Sequence, residues 1–473
     1  MRHDLDRLPA GRPVSSTQPS TRHRRTVTAL KTAAAASVAA VALAACSSAG
    51  GKTAISPPVS PPAQLTNYHG EKGILLQQLR NDAARLVVDI ARAPASSYDE
   101  SEIAAAENGF AVSLTRELYS ENGPAENVLT SPLSADAALS MLLPGTEGST
   151  FTALTDGLDQ AHLSAAALSS GWSTLLTDLG RDLGPAAMNV ADSAWMQPGI
   201  VFEHSYLDSI ARTFGETAYQ ANFAGDLNGA IAAINGWVSS ETGGRIRQIV
   251  NTSNLSPQTI LVLANALHFR DRWASSLDFQ GNESESFHSA AGETVTVPSM
   301  SDQSALEVAA DQGYAAVELP YAGGRFSALL VEPSGSMKHW LAGLSAGEIS
   351  TITSSLRSRT VLLSLPTLTL ENNFSMRPVL SSLGMGRLFS RQADLSGISP
   401  EAADVSSVQQ ANRLVLTSWG TDFASATVVG AAGSAAPLPA PRVTIDRPFL
   451  LLIRDGQTGA VVASAVVDNP LAG

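Results

Sequence analysis

Apolar residues recur with helical spacing through much of the first half of the chain and form short strand-like runs in the second half. Helices are predicted at 101–118, where Ser101 is a candidate N-cap, at 135–143 and at 227–238. Helices that are segregated from antiparallel strands are typical of an α+β fold, because an alternating α/β fold would interleave the two. The predicted strands are 314–319, 325–331, 360–365, 414–417 and 450–453.

This region contains no internal repeat and no linker, so residues 101–473 are predicted to form one domain of about 370 residues. A helical pattern also precedes it at 75–90, where six aliphatic residues can share one stripe. The segment 71–100 is therefore predicted to be helical, either ahead of the domain or as the start of its fold. With 473 residues and 44% hydrophobic content, the chain can bury a large core without disulfides.

The N-terminal segment 1–45 has the pattern of an export signal. Three arginines between positions 22 and 25 precede an Ala-rich apolar run at 32–45, which is too short to span a bilayer as a helix. The run ends in Leu-Ala-Ala before Cys46, the single cysteine of the sequence. This ending resembles a bacterial lipoprotein signal, which implies that Cys46 carries lipid such as palmitate. The alternative is an ordinary secretory signal with an incidental cysteine, and export by either the general or the twin-arginine route stays open.

The segment 46–70 is rich in serine, glycine and paired prolines, a composition typical of a flexible, partly polyproline-like tether. Together with lipidation of Cys46, such a tether predicts an exported protein that is anchored to the outer face of the bacterial cell membrane. One cysteine cannot form an intramolecular disulfide.

The charge distribution and the missing motifs exclude several functional classes. Residues 1–45 contribute +5 to the net charge of −13, which leaves −18 on the remainder and argues against a nucleic-acid partner. No G-x-S-x-G, H-E-x-x-H or G-x-G-x-x-G motif occurs, so the sequence predicts no enzyme, no metal site and no cofactor. Of the eight scattered histidines, His268 and His288 lie in strand-like segments, where a hydrogen-bonded structural role is expected.

A stretch from 420 to 439 is unusually poor in bulky side chains and is followed by the two apolar strands of the C-terminal segment 441–470. Ten short motifs, in family order, show that the chain resembles the serpins, a family of suicide protease inhibitors. The motifs are Asn127-x-x-x-Ser131-Pro132-x-Ser134, Asn265-x-x-x-Phe269-x-x-x-Trp273, Phe287-His288, Val297-Pro298-x-Met300, Leu319-Pro320-Tyr321 with Gly324-x-Phe326, Leu365-Pro366, Leu383-Gly384-Met385, Asp394-x-x-Gly397, Asp446-Arg447-Pro448-Phe449 and Asp468-Asn469-Pro470.

The resemblance implies three β-sheets, eight or nine helices and an exposed reactive-centre loop at about 420–441. It also implies a monomer that inhibits serine proteases as a pseudo-substrate. The target cleaves the loop, the loop inserts into the central sheet, and the acyl-enzyme stays attached. The alternative is a non-inhibitory surface protein with the serpin fold, which is cleaved as a substrate or binds a ligand.

Four residues resemble the polar cluster at the place where the central sheet must open. Ser131, Ser134 and Asn265 belong to it by their motifs, and Gln410 occupies the position where the family usually has histidine. Hydroxyl and amide groups can exchange hydrogen bonds as strands part, and glutamine does so without acquiring charge. A purely structural role, capping a helix and satisfying a sheet, is compatible with this interpretation.

Gly420 and Thr421 match the hinge at which insertion starts. Phe423, Ser425 and Thr427 follow on the side of the strand that would face inward, since alternate residues share a face. Phe423 is bulky where the family has small residues, so it is expected to slow insertion. Two further departures lie just before the hinge: Ser418 replaces the usual glutamate, and Trp419 precedes the glycine.

Family spacing from the hinge places the reactive bond at Ser434–Ala435 or Ala435–Ala436. Counting back from the C-terminal motif points closer to Pro437, but proline blocks most proteases at the bond before it. Small residues there predict an elastase-like or subtilisin-like target. A trypsin-like target is excluded, because no arginine or lysine lies between positions 413 and 442.

Overall fold

The computed structural model describes eight segments of the chain, all within the unit Thr66–Gly473. They are residues 83–85, 91–122, 126–181, 187–215, 218–310, 313–402, 404–421 and 440–472.

Several of the sequence predictions concern residues outside these segments. They are the signal 1–45, the tether 46–70 with Cys46, and the loop residues Phe423, Ser425, Thr427, Ser434, Ala435 and Ala436.

Helices dominate the first half of the described chain, as the sequence predicts. Five of them begin at a side-chain cap: Ser96, Ser131, Ser164, Asp226 and Ser345 each accept a hydrogen bond from a backbone N–H of the first turn. The nine α-helices of the described residues are α1 (Ser97–Asn122), α2 (Pro132–Ser140), α3 (Gly148–Gly157), α4 (Ala165–Leu179), α5 (His204–Phe214), α6 (Leu227–Glu241), α7 (Met337–Gly343), α8 (Ala346–Ser355) and α9 (Arg377–Ser382).

The first helix begins earlier than the sequence analysis predicts. It starts at Ser97 because the Ser96 hydroxyl accepts a hydrogen bond from the Asp99 backbone N–H at 3.2 Å. Ser101 lies inside the helix and donates its hydroxyl to the Tyr98 carbonyl at 2.7 Å, so its prediction as the N-cap is wrong.

The five strands predicted in the second half are confirmed, and further strands occur along the whole described chain. They are β1 (Ala83–Arg85), β2 (Val128–Thr130), β3 (Ala187–Met196), β4 (Ala218–Ala221), β5 (Leu261–Arg272), β6 (Gln280–His288), β7 (Thr294–Ala310), β8 (Tyr314–Pro320), β9 (Phe326–Pro333), β10 (Arg357–Pro366), β11 (Leu368–Ser375), β12 (Ser407–Thr417), β13 (Gly420–Thr421), β14 (Arg442–Thr444), β15 (Phe449–Asp455) and β16 (Val461–Val467).

The short strand β1 corrects the helix predicted at 75–90. Its three residues pair antiparallel with β4, from Ala83 opposite Ala221 to Arg85 opposite Tyr219. The aliphatic spacing suggested a helix, but pairing with the edge of a sheet decides the conformation of 83–85. A local pattern is a weak predictor where long-range strand pairing competes with it.

The strands form two hydrogen-bonded arrays. The seven-stranded sheet has the order β1-β4-β3-β5-β13-β12-β11, and the nine-stranded array has the order β14-β10-β7-β8-β9-β15-β16-β2, with β6 also paired to β7. The long strand β7 pairs with β6 and β10 over most of its length and with β8 at its end. It thereby joins two of the three sheets that the family resemblance implies.

Two apolar clusters flank the seven-stranded sheet. The larger one fills the space between this sheet, the second array and helices such as α1, α2 and α4. The smaller one lies under α6 and the segment that follows it, and packs Ile234, Val238 and Ile249 against β3 and β5. In the described residues, no helix is both long enough and apolar enough to cross a bilayer.

Candidate functional site

The centre of the seven-stranded sheet has an unusual junction, which we call the seam: the boundary between β5 and β12. Along one half of the seam the two strands pair directly and in parallel, with 262–267 opposite 407–412. In the other half they diverge, and the two residues of β13 lie between them, antiparallel to both. The seam is therefore closed at one end and already holds the start of another strand at the other.

The hinge predicted from sequence, Gly420 and Thr421, is this short strand β13. Gly420 has φ of +138°, and an added Cβ would collide with the Asp271 carbonyl, so only glycine fits here. Thr421 is 1% exposed, and its hydroxyl lies 2.6 Å from the hydroxyl of Tyr321. The hinge is thus anchored in the sheet.

Aromatic side chains hold the hinge from one side. Tyr321 stacks on Trp273, with 4.8 Å between ring centroids, and meets Phe269 edge to face at 5.1 Å. The Trp273 indole N–H donates to the Thr417 carbonyl at 2.9 Å, which fixes the end of β12 beside the hinge. These contacts define the geometry from which any further insertion would start.

Trp419, one of the departures from the family pattern, is accommodated without disturbing the hinge. Its side chain is 43% exposed, while its backbone carbonyl accepts a hydrogen bond from the backbone N–H of Trp273 at 3.1 Å. A bulky residue can occupy this position because it points to solvent.

The four residues predicted as the polar cluster lie together beneath the closed half of the seam. Gln410 is fully buried and bonds in both directions: its amide donates to the Ser131 carbonyl at 2.9 Å, and its oxygen accepts from the Thr130 hydroxyl at 2.6 Å. Asn412 also donates to the Gln410 oxygen at 3.0 Å. Glutamine thus forms both kinds of hydrogen bond here while remaining neutral.

The two serines of the cluster connect the helix beneath the sheet to neighbouring strands. The Ser131 hydroxyl caps α2 by accepting from the Ser134 N–H at 3.3 Å, and donates to the Val462 carbonyl at 2.9 Å. The Ser134 hydroxyl donates to the Asp192 carboxyl on β3 at 2.8 Å. The capping role expected as the structural alternative is therefore present, and the role in sheet opening stays a prediction.

Asn265 occupies the centre of the cluster. It is fully buried on β5, directly opposite Asp192 on one side and Gln410 on the other. Neither polar atom of its amide has a hydrogen-bond partner in the part of the chain that the structure describes. Because an unpaired buried amide is unfavourable, the site would gain from any rearrangement that supplies a partner.

Asp192 is a member of the site that the sequence analysis missed. It is the single acid of β3, a strand with mainly apolar residues, and a carboxylate in such a strand is a signal that could have found it. Burial raises its pKa to about 8, and the hydrogen bond from Ser134 offsets only part of that rise. The side chain is thus held in its neutral form at neutral pH.

Asp192→Asn is expected to flatten the pH dependence of stability. Because the folded pKa is above that of the unfolded chain, the stabilisation from neutral Asp192 is full below about pH 4 and is lost as pH rises towards about 8. Relative to the wild type, the variant should therefore gain thermal midpoint across this window. The exposed control Asp278→Asn should not. If the difference in thermal midpoint between Asp192→Asn and the wild type were constant from pH 4 to 9, the raised pKa assigned to Asp192 would be wrong.

The remaining candidate chemistry is structural in the described residues. His288 lies 3.0 Å from the Thr294 hydroxyl through Nδ1, as expected for a hydrogen-bonded histidine, and His268 also has an interaction partner. Within the described segments, no group of three or more histidine, cysteine, aspartate or glutamate side chains is arranged to hold a metal ion.

A protein-family model described as Serpin (serine protease inhibitor) matches residues 105–470. The chain belongs to the serpin family. An uncharacterised serpin-like protein of Thermococcus kodakarensis is 32% identical to this serpin over 389 residues, which is 80% of this chain and 89% of the relative. Iripin-2 of Ixodes ricinus is 30% identical over 369 residues, 76% of this chain and 92% of its own.

Among solved structures, the thermophilic serpin Tengpin in its native state matches with a TM-score of 0.73 at 23% identity, over 82% of this chain and 100% of Tengpin. The α+β serpin fold expected from the sequence motifs is thereby confirmed. Members of this family are in general inhibitors of serine proteases rather than enzymes.

Proposed function

We propose that this serpin inhibits serine proteases as a pseudo-substrate. In this mechanism the hydroxyl of the target's catalytic serine attacks the carbonyl carbon of the reactive bond, and the new C-terminal side departs with a free amine. The loop then inserts along the seam and carries the acyl-enzyme with it before water can hydrolyse the ester. The serpin itself supplies no catalytic group and needs no cofactor.

The register of the hinge is the observation that carries the proposal. Thr421 lies opposite Asp271 on β5 and Leu416 on β12. If the strand continued in this register, Thr427 would fall opposite both Asn265 and Gln410. The two neighbouring strands give the same position independently, as a sheet built to receive one more strand requires.

The proposed insertion would also give the unpaired amide of Asn265 a partner. Thr427 would share the inner face with Thr421, because residues six apart in a strand lie on the same side. Its hydroxyl can both donate and accept. Insertion would therefore remove the free-energy cost of an unpaired buried amide in the native sheet.

The proposed target is an elastase-like or subtilisin-like protease that cleaves at Ser434–Ala435 or Ala435–Ala436. The test is to incubate the domain with pancreatic elastase, subtilisin and trypsin, and to look for an SDS-resistant band at the summed mass. We expect the band with one of the first two and not with trypsin. Loop cleavage without any such band would favour the alternative, a non-inhibitory protein that is cleaved as a substrate.

Phe423→Ala is expected to improve inhibition. If the strand continued in the hinge register, position 423 would fall opposite Phe269 and Leu414, where the cavity beside the hinge measures only about 10 Å³. That is room for about one water and not for a ring, so the native side chain must push neighbours apart during insertion. Fewer serpin molecules should then be cleaved without trapping a protease.

The measurement is the number of serpin molecules consumed per protease inhibited. We expect this ratio to fall severalfold for Phe423→Ala, while the rate of loop cleavage stays unchanged. Trp419→Ala is the matched control, since that ring is exposed and does not enter the sheet. A ratio that rises for Phe423→Ala would contradict the interpretation of this ring as an obstacle.

We also propose that the serpin is exported and anchored to the outer face of the bacterial cell membrane through lipid on Cys46. The support is the Leu-Ala-Ala-Cys boundary and the Ser/Gly/Pro segment that follows it. Cys46→Ala should lose labelling by a palmitate analogue and leave the membrane fraction, whereas Ser56→Ala in the tether should not. Unchanged membrane fractionation of Cys46→Ala would favour the alternative, an ordinary secretory signal.

A further inference from the structure

A groove of about 820 Å³ lies beside β11 and β12 of the seven-stranded sheet. One wall is the segment 243–248, which follows α6. The floor and the other wall come from β11 and β12, through residues such as Asn373, Ala411 and Arg413. The groove has the size of a small-molecule site, and the mechanism proposed above makes no use of it.

The groove concentrates positive charge on an acidic protein. Arg245, Arg247 and Arg413 line it together with a single acid, Glu371, although the chain carries a net charge of −13. Glu371 is 61% exposed, and its carboxylate lies 3.7 Å from the Arg413 guanidinium. An exposed ion pair of this kind contributes little to stability, so a multivalent anion can compete with Glu371 for Arg413.

Arg247 has hydrogen-bonding capacity to spare. The exposed Arg247 donates through Nε to the Gly244 carbonyl at 3.4 Å, and within the described residues it forms no ion pair. Its two terminal nitrogens remain available as a planar fork, the geometry that binds phosphate or sulfate oxygens in pairs. The Asn373 amide donates to the Gln248 carbonyl at 3.0 Å, which joins β11 to the segment after α6.

The two walls of the groove meet the sheet mainly on opposite sides of the seam. Ile246, Ile249 and Val250 of the segment after α6 pack in an apolar cluster whose strand residues come mainly from the β5 side, such as Ala264 and Ala266, and include Ala411 of β12. Arg413 lies on β12, on the far side. A ligand that contacts Arg247 and Arg413 together would therefore connect the β5 side of the sheet to β12.

We propose that this groove binds a compact anion with two or more phosphate or sulfate groups, and that the bound anion holds the seam closed. Opening the seam for another strand moves β12 away from β5 by about 4.8 Å, the spacing of neighbouring strands. A compact anion cannot keep both sets of contacts across that step, so it binds the closed sheet more tightly than the opened one. This second part rests on the proposed insertion mechanism, whereas the binding itself does not.

Isothermal titration of the intact domain with sodium tripolyphosphate tests the site, with inorganic sulfate at matched ionic strength as the control for screening. We expect one tripolyphosphate per protein. Arg247→Ala and Arg413→Gln should each weaken binding about tenfold, as loss of a charge-assisted contact does. The control is Arg391→Ala, an exposed arginine outside the groove. Affinity that is absent, or equal in all three variants, would overturn the site.

Two further titrations identify the chemical class of the anion and test its effect on the seam. Sucrose octasulfate in place of tripolyphosphate distinguishes a sulfated sugar from a polyphosphate, and the tighter binder names the class. Titration of loop-cleaved protein tests the closing effect, with binding expected to be at least tenfold weaker than to the intact form. A raised thermal midpoint of the cleaved protein should first establish that its loop has inserted. Equal affinity for the intact and inserted forms would then overturn the closing effect, while the anion site itself would be retained.

Discussion

Cleavage of the loop between Ser434 and Ala436 is expected to raise the thermal midpoint of this serpin by about 20 °C or more. The freed segment 421–434 would become a central strand with hydrogen bonds to β5 and β12 along its length. At roughly 0.5–1.5 kcal/mol net for each hydrogen bond, the gain is on the order of 10 kcal/mol. For a domain of this size, each kcal/mol raises the midpoint by about 2 °C.

The measurement compares the melting of intact protein with that of protein nicked by pancreatic elastase. Mass spectrometry should first establish that the cut lies at Ser434–Ala435 or Ala435–Ala436. Nicked protein in which insertion is blocked by a substitution at Thr421 serves as the control and should melt like the intact form. If nicked wild-type protein also melts at the intact temperature, the loop does not insert and the non-inhibitory alternative is correct.

The residues that the sequence predicts best are those that belong to ordered motifs. Ser131, Ser134, Asn265 and Gln410 are separated by as many as 279 positions, yet they lie beneath one seam. Ten motifs in family order fix the fold, and the fold then brings distant positions together. Gln410 shows that even a departure from the family pattern can be interpreted, because its amide makes the donor and acceptor contacts that the position requires.

Features that depend on long-range pairing could not be predicted from the local pattern. Ala83–Arg85 forms a strand because β4 offers a partner, although the aliphatic spacing around it favours a helix. The start of α1 depends on the side chain of Ser96, one residue outside the helix. Asp192 enters the site only because the pairing of β3 with β5 places it opposite Asn265.

The position of the hinge between two strands is likewise a property of the folded sheet. Sequence identifies Gly420 and Thr421 as hinge residues, but whether they lie outside the sheet or between two strands depends on how far β5 and β12 diverge. The pocket formed by Trp273 and Tyr321 decides this, because it buries Thr421 and bonds its hydroxyl. The starting point of the proposed insertion is therefore determined by side-chain packing around Thr421, which the sequence composition does not reveal.

Thr421→Glu is expected to convert the proposed inhibitor into a substrate. Thr421 is 1% exposed and lies opposite Asp271, a carboxyl whose pKa is raised by burial. A second carboxylate there would be buried beside the first, and glutamate would lose the hydroxyl contact with Tyr321. A barrier raised by about 3 kcal/mol would slow insertion roughly a hundredfold, so hydrolysis of the acyl-enzyme would win.

Glutamate is a sharper test than arginine at this position, because an arginine could form an ion pair with Asp271 and offset part of its own burial. Thr421→Ser is the matched control, since it keeps the hydroxyl that contacts Tyr321 and should still trap protease. The measurement is the ratio of covalent complex to cleaved serpin after reaction with elastase or subtilisin. We expect almost no complex from Thr421→Glu, with loop cleavage as fast as in the wild type. Undiminished complex would mean that the hinge leaves the sheet before cleavage and that its burial in the native state does not control insertion.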